Sequence, residues 1–193
     1  MANYTMNQMQ GDSKDRESND FYPTPPEATI MLLEKEKFEG LIWEPACGDG
    51  AISKLLPDTT ISTDLYYRGY GESGIDFLGT HKKVDHIITN PPYSLAKEFV
   101  LHGLECAESK VAMLCKLNFL ESVNRHLLFK STPLSRVYVF SKRVSFNKGN
   151  QKGNGSGLLA YAWFVWDKNY KGDPRLDWLL EPSVGKTLFE NCS

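Results

Sequence analysis

The chain has 193 residues, a hydrophobic content of 41% and a net charge of −2, values typical of a globular protein with one sizeable core. No apolar run approaches the roughly 20 residues that cross a bilayer, and residues 1–20 lack the apolar stretch of a secretory signal. These features argue against a membrane or secreted protein, and we expect a reducing cytoplasm.

The cysteines and histidines show no spacing typical of a metal site. The four cysteines contain no CxxC pair, and the four histidines are scattered along the chain. We therefore expect neither a disulfide framework nor a metal. The residues concerned are Cys47, Cys106, Cys115, Cys192, His81, His86, His102 and His126.

The predicted elements alternate between helices and strands. Residues 1–19 are polar and predict a flexible tail, and the prolines of 21–26 predict an extended segment. The first helix should begin at Pro26 and run to about Lys37, with Ile30, Leu33 and Phe38 on its inner face. Further helices are predicted at 51–56, 95–108 and 117–130. Strands are predicted at 41–43, 60–64, 110–115, 136–140 and 158–166.

This alternation predicts an α/β fold with a mostly parallel sheet and helices on both faces. Residues 20–180 should form a single domain. Residues 141–157, rich in Gly, Asn and Lys, predict an exposed loop between the last two strands, and 181–193 predict a C-terminal tail.

The motif Asn90-Pro91-Pro92-Tyr93 follows a short apolar segment, 84–89, that reads as a buried strand. In open α/β sheets, ligands bind at the carboxyl ends of strands. The Asn90 amide offers an acceptor and donors, and the Pro91 carbonyl offers a second acceptor. The prolines stiffen the backbone, and Tyr93 adds a flat ring. Such a clamp suits a planar group with an exocyclic amine, although a simple proline-rich turn fits these four residues about equally well.

The segment from Glu44 to Gly50 lies at the first crossover from strand to helix, where glycines allow close approach of a ligand. It does not fit the dinucleotide pattern GxGxxG, because Ser53 occupies the third glycine position. The Glu44 carboxylate disfavours a phosphate and favours a cation. Asp64, at the end of the next strand, is placed to bind ribose hydroxyls. Asp76 and Phe77 could accept from an adenine amino group and pack on its ring. Together these residues predict a site for S-adenosylmethionine.

With these motifs in order (FYPTPPE, EPACGDG, Asp64, DFL and TNPPY) the chain resembles the adenine-N6 type of amino-DNA methyltransferase, most closely its compact phage-encoded members. The resemblance spans about residues 20–166. It implies a Rossmann-like class I methyltransferase fold with seven strands, the last antiparallel, in a bacterial or phage-infected cell.

The resemblance also implies roles for individual residues. Tyr22 and Thr24 would contact the methionine end of the cofactor, and Asp64 would hold the ribose. Asn90, Pro91 and Tyr93 would hold an adenine extruded from DNA, with Pro92 completing the motif. The remaining cofactor-binding residues would be Glu44, Pro45, Ala46, Cys47, Gly48, Asp76, Phe77 and Asn90.

A basic stretch predicts DNA as the partner. Between Glu121 and Asp167 the chain has seven positive charges and no acidic residue, a pattern typical of phosphate binding. The alternative is that these charges belong to an ordinary solvated surface whose acidic residues lie elsewhere. The seven are Arg125, Lys130, Arg136, Lys142, Arg143, Lys148 and Lys152. Within the predicted loop, Lys142, Arg143, Phe146, Lys148 and Lys152 are the candidate DNA contacts.

Several alternatives stay open. The same clamp could hold the N4 amine of cytosine or a glutamine side-chain amide of a protein, although a basic stretch is unnecessary for a peptide. A nucleic-acid-binding protein that keeps the fold without the activity is a third reading. The sequence leaves open the recognition site and whether the protein is a monomer or a homodimer.

Overall fold

The computed structural model describes residues 22–142 and 160–180. The predicted tails, 1–19 and 181–193, and residues 143–157 of the predicted loop lie outside these ranges. The strands are β1 (Ile42–Glu44), β2 (Ile61–Asp64), β3 (Glu72–Ser73), β4 (Val84–Thr89), β5 (Ala107–Lys116), β6 (Leu134–Phe140), β7 (Tyr161–Asp167) and β8 (Arg175–Leu179). The α-helices are α1 (Pro26–Lys35), α2 (Ala96–Cys106) and α3 (Val123–Ser131).

The strands form one mostly parallel sheet in the order β3-β2-β1-β4-β5-β7-β6-β8. Strand β7 lies antiparallel between β5 and β6, as expected for the seventh strand. The predicted count of seven is wrong by one, because β8 pairs in parallel with β6 at the sheet edge. The sequence pattern did not indicate β8, because this strand lacks the apolar run of a buried strand. Its residues Leu176 and Trp178 are about half exposed.

Helices cover both faces of the sheet, as predicted. Residues of α2 and α3 pack into one core cluster, whereas residues of α1 pack into a second. Consecutive residues of β4 separate accordingly: Ile87 belongs to the first cluster and Ile88 to the second. This is the alternation of side chains expected along a strand.

The predicted inner face of α1 is wrong in part. Ile30 is 42% exposed, whereas Ala28, Met31 and Leu32 are buried. These three follow the spacing of one helix face. Leu33 and Phe38 are partly buried against the same core.

Two predicted helices are shorter than expected. The segment 51–56 forms only a 3₁₀ turn, Ser53–Leu55. The predicted helix 117–130 begins as a 3₁₀ turn, Leu117–Leu120, and breaks at Ser122, whose φ is +97°. The Ser122 hydroxyl accepts the Arg125 N–H at 3.4 Å and so begins α3.

The parallel strands place three polar groups at one edge of the sheet. Glu44 ends β1, Asp64 ends β2, and Asn90 directly follows β4. Because β1 pairs in parallel with both β2 and β4, these carboxyl ends lie side by side. The fold therefore gathers the predicted site residues at the edge where α/β proteins bind ligands.

Candidate active site

A cleft of about 810 Å³, partly open to solvent, lies at this edge. All the predicted cofactor-binding residues line it: Tyr22, Thr24, Glu44, Pro45, Ala46, Cys47, Gly48, Asp64, Asp76, Phe77 and Asn90. Pro92 lines it as well. Pro91 is buried and Tyr93 half-buried beside it.

The Asp64 carboxylate is held by backbone amides. Its Oδ2 accepts the Gly48 N–H at 2.9 Å, and its Oδ1 accepts the Tyr66 N–H at 2.9 Å. Gly48 has φ +57° and Gly50 has φ +81°, so the turn uses the left-handed region that favours glycine. Each carboxylate oxygen keeps a second lone pair. Asp64 can therefore accept from a ligand without losing these bonds.

Glu44 is buried, with 1% of its surface exposed. The Ser53 hydroxyl donates to its Oε2 and lies 2.7 Å from the Ser62 hydroxyl. Burial raises the pKa of Glu44 to about 8, so the free cleft keeps this carboxyl largely protonated at neutral pH. A cationic ligand beside it favours the ionised form. Ser53, which breaks the dinucleotide pattern, is thus the hydrogen-bond partner of Glu44.

Cys47 lines the cleft as a buried thiol, 3% exposed. Burial raises its pKa to about 12, and nearby Glu44 and Asp64 act in the same direction. A thiol with so high a pKa is a poor nucleophile at neutral pH. Its contribution to the cleft is therefore apolar surface.

Asp76 and Phe77 line another part of the cleft. The Asp76 Oδ1 accepts the Leu78 N–H at 3.1 Å and begins a 3₁₀ turn, Phe77–Gly79. The Phe77 ring is 2% exposed and packs on Trp43 and Phe99, at centroid distances of 5.0 and 4.7 Å. Most of the ring therefore faces the core. Its contact with an adenine ring stays a prediction.

The Asn90 amide has two different ends. Its Nδ2 donates to the Thr24 hydroxyl at 3.1 Å and to the Tyr22 carbonyl at 3.3 Å. Its Oδ1 is buried and has no hydrogen-bond partner within the described residues. Buried polar atoms are almost always paired, so this acceptor, on a residue that lines the cleft, is a candidate partner for a ligand's donor.

The Tyr93 ring already has three neighbours. Tyr22 stacks on it at a centroid distance of 5.9 Å and an interplanar angle of 22°. The Lys116 ammonium lies over the ring, 4.1 Å from its centroid, and the Tyr93 hydroxyl donates to Tyr161 at 3.2 Å. Burial raises the pKa of Tyr93 above its usual range, so the phenol stays neutral. A base that stacks on Tyr93 must share the ring with Tyr22 or Lys116, or displace one of them.

Only part of the predicted basic stretch lies within the described residues. Lys142 is exposed just after β6. Arg143, Phe146, Lys148 and Lys152 lie outside the described residues.

Three other cations of the stretch have structural contacts. Arg125 donates to the Asn118 carbonyl at 2.9 Å, Lys130 lies 3.8 Å from Asp173, and Arg136 packs on the Tyr170 ring at 5.1 Å. An acidic residue from outside the stretch therefore offsets part of its charge.

The structure brings together three potential ligand atoms that the sequence spacing did not indicate. The potential ligand atoms of His81, His102 and Cys106 lie within 4.8 Å of one another. Residues 102 and 106 share a face of α2, which brings two of the three together. Hydrogen bonds of His102 and a ring contact between His81 and His102, with centroids 4.8 Å apart, account for the grouping. His102 Nε2 lies 3.0 Å from the Thr80 carbonyl and 3.4 Å from the Cys106 sulfur. We assign no metal to it.

Sequence reasoning missed several residues of the cleft. Leu65 and Tyr66 follow Asp64 directly, so the carboxyl-end rule could have found them. Pro23, Asp49 and Leu78 lie within the motifs FYPTPPE, EPACGDG and DFL, so those motifs could also have indicated them. The others come from turns or from α2, where no local pattern marks them. The lining residues not predicted are Pro23, Asp49, Ala51, Leu65, Tyr66, Arg68, Ile75, Leu78, Leu95 and Phe99.

Comparisons with known proteins support the fold. No family model and no curated protein matches the sequence. Among solved structures, a modification subunit of a candidate type I restriction enzyme from Vibrio vulnificus aligns with a TM-score of 0.59 at 12% identity, over 88% of this chain and 49% of that chain. The chain thus spans about half the length of that subunit.

Two further structures are methyltransferases by description. A candidate RNA methyltransferase from Pyrococcus horikoshii aligns with a TM-score of 0.59 at 13% identity, over 77% of this chain and 88% of that chain. A candidate class I S-adenosylmethionine-dependent methyltransferase from Listeria monocytogenes aligns with a TM-score of 0.57 at 14% identity, over 94% of this chain and 72% of that chain. At such identities the likeness concerns the fold alone: the chain has the α/β Rossmann-like fold of class I methyltransferases.

Proposed function

We propose that the protein is an enzyme that transfers a methyl group from S-adenosylmethionine to the N6 amine of adenine in DNA. The observation that carries this proposal is the buried, unpaired Oδ1 of Asn90, a residue that lines the same cleft as Glu44 and Asp64. An acceptor for an amine and a pocket suited to a cationic nucleoside then share one edge of the sheet.

The donors and acceptors of the cleft fit S-adenosylmethionine. Asp64 would accept from the ribose hydroxyls with its remaining lone pairs, and Glu44 would offset the positive charge. Tyr22 and Thr24 would border the methionine end, whereas Asp76 and Phe77 would border the adenine. When bound, the cofactor would supply a methyl group that its sulfonium already activates.

The task of the chain is then to position the acceptor amine. Asn90 Oδ1 and the Pro91 carbonyl would each accept an N–H of the amine, which turns its lone pair toward the methyl group. The new N–C bond forms as the S–C bond breaks, and the amine afterwards loses a proton to solvent. Tyr93 would contact the extruded base, a stacking worth roughly 1–3 kcal/mol in single-strand binders.

The topology supports nucleic acid as the substrate. In the sequence, the basic segment 143–159 lies between β6 and β7. Directly after it, the Ala160 carbonyl accepts the Leu117 N–H at 2.8 Å, and the Tyr161 hydroxyl contacts that of Tyr93. The segment is therefore followed immediately by residues that contact the proposed amine clamp. Lys116, over the Tyr93 ring, adds a cation there.

Replacing the clamp residue tests the proposal. We expect Asn90→Ala to abolish transfer of a labelled methyl group to DNA, because the amine loses its acceptor, while calorimetry shows cofactor binding largely retained. Asn169→Ala is the matched control, since Asn169 lies in an exposed turn after β7, away from the cleft. Methylation by Asn90→Ala at the rate of the control would refute the proposal.

A further inference from the structure

We propose that Thr24 is a positioning residue for methyl transfer: its hydroxyl and the Tyr22 carbonyl fix the rotation of the Asn90 amide so that Oδ1 faces the substrate amine. This proposal rests on the proposed function, and it gives segment 22–25 a role beyond bordering the cofactor.

Chemistry fixes which end of the amide faces this segment. The Tyr22 carbonyl can only accept a hydrogen bond, so the Asn90 atom 3.3 Å away from it must be the NH₂ nitrogen. The same nitrogen lies 3.1 Å from the Thr24 Oγ1. With both contacts made, the amide oxygen is directed elsewhere and stays unpaired. A rotated amide would bring two acceptors, Oδ1 and the Tyr22 carbonyl, face to face.

The local structure holds Thr24 in place. The residue is 5% exposed, and Pro23 and Pro25 restrict the backbone on both sides. Its β-branched side chain has few accessible rotamers. Thr24 therefore loses little further freedom when it accepts from Asn90.

The same segment contacts the other end of the motif, because the Tyr22 ring stacks on Tyr93 at 5.9 Å. Residues 22–25 thus touch both Asn90 and Tyr93, which are expected to contact the amine and the ring of the base. Removing the Thr24 hydroxyl leaves only the longer bond to the Tyr22 carbonyl to hold the amide, so its rotation is less restricted, while the pocket lined by Glu44 and Asp64 stays intact.

The test compares Thr24→Val with Thr24→Ser at saturating cofactor and DNA. A small misplacement of a reacting group costs up to about 100-fold in rate, so we expect Thr24→Val to lower the single-turnover rate between about 10- and 100-fold. Because Thr24 also borders the cofactor, the cofactor Kd should rise, but by less than the rate falls, and Thr24→Ser should restore the rate. Thr29→Val is the control, because the buried Thr29 hydroxyl has no partner among the described residues.

A second readout does not depend on activity. In cofactor-free protein labelled with ¹⁵N-asparagine, Thr24→Val should shift the Asn90 side-chain amide signals and speed their exchange with solvent, whereas Thr24→Ser should preserve them. Unchanged signals, an unchanged transfer rate, or equal losses in rate and cofactor affinity would each overturn the role of Thr24. If wild-type protein methylates no adenine, the proposed function fails, and the amide signals still report on the hydrogen bond.

Discussion

The two halves of the cleft differ in how their polar groups are satisfied. On the proposed cofactor side, Asp64 accepts two backbone amides and Glu44 accepts the Ser53 hydroxyl. On the proposed amine side, Asn90 donates to segment 22–25, but its Oδ1 is buried and has no partner among the described residues. The carboxyl groups of the first half thus have hydrogen-bond partners within the fold, whereas the Asn90 acceptor of the second half is left for a ligand to pair. Substitutions in the first half should therefore affect the fold and cofactor binding, and those in the second mainly transfer.

The largest effect on cofactor binding is expected at Asp64. Asp64→Ala removes the proposed ribose acceptor and leaves the Gly48 and Tyr66 amides without their partner. Each unpaired amide costs roughly 1–3 kcal/mol, so the melting temperature should drop. Because the ribose acceptor is lost, we expect the cofactor affinity to fall about 100-fold. Asp58→Ala, at an exposed position, is the control. Calorimetry that finds an unchanged cofactor Kd in Asp64→Ala would contradict the assignment of this half.

Gly50→Ala tests the rigidity of the cofactor side. Gly50 has φ +81°, and a Cβ there would lie 2.5 Å from the Tyr70 ring. We expect a loss of about 2 kcal/mol in the free energy of unfolding, measured by urea denaturation. Gly74→Ala is a matched control, since Gly74 has φ +80° with nothing within 4 Å of its Cβ position. Equal losses in the two variants would mean that the contact with Tyr70 contributes nothing.

The pH dependence of cofactor binding tests Glu44. Its pKa of about 8 means that the free protein holds a proton which a cationic ligand would displace. Affinity should therefore rise with pH up to about 8, by at most about tenfold per pH unit for one linked proton. Glu44→Gln should flatten the profile, and Glu34→Gln, at an exposed position, should not. An equally steep profile in Glu44→Gln would exclude this carboxyl as its source.

The same shift has a consequence for stability. The unfolded chain releases the Glu44 proton near the usual pKa of 4.5, whereas the folded chain keeps it until about 8. The contribution of Glu44 to stability is thus fully present below pH 4.5 and is lost as pH rises through 8. Bound cofactor should reduce this loss.

The smallest expected effect concerns the basic segment. Lys148→Ala with Lys152→Ala should weaken DNA binding and reduce the slope of log affinity against log salt by about 1.5–2, if each lysine contacts one phosphate of duplex DNA. Lys83→Ala with Lys171→Ala is the control, because both flank the opposite edge of the sheet. A salt slope unchanged from wild type would argue that residues 143–159 do not bind the DNA backbone.

The sequence predicted the parts of the site that depend on strand order. Glu44, Asp64 and Asn90 follow apolar segments, and parallel pairing brings such positions to one edge. The sequence could not predict the bond from Asn90 to Thr24, which joins residues 66 positions apart and leaves no periodic signal. It also missed the break at Ser122, where a hydroxyl cap interrupts an otherwise helical pattern. A local cap and a long-range side-chain bond thus account for these two differences.

The most direct test of the central claim is the identity of the methylated nucleoside. Wild-type protein would be incubated with DNA and isotopically labelled S-adenosylmethionine, and the digested DNA analysed by mass spectrometry. The account predicts labelled N6-methyladenine, absent from a parallel sample of Asn90→Ala. Labelled N4-methylcytosine with unmodified adenine, or DNA that carries no label, would contradict it.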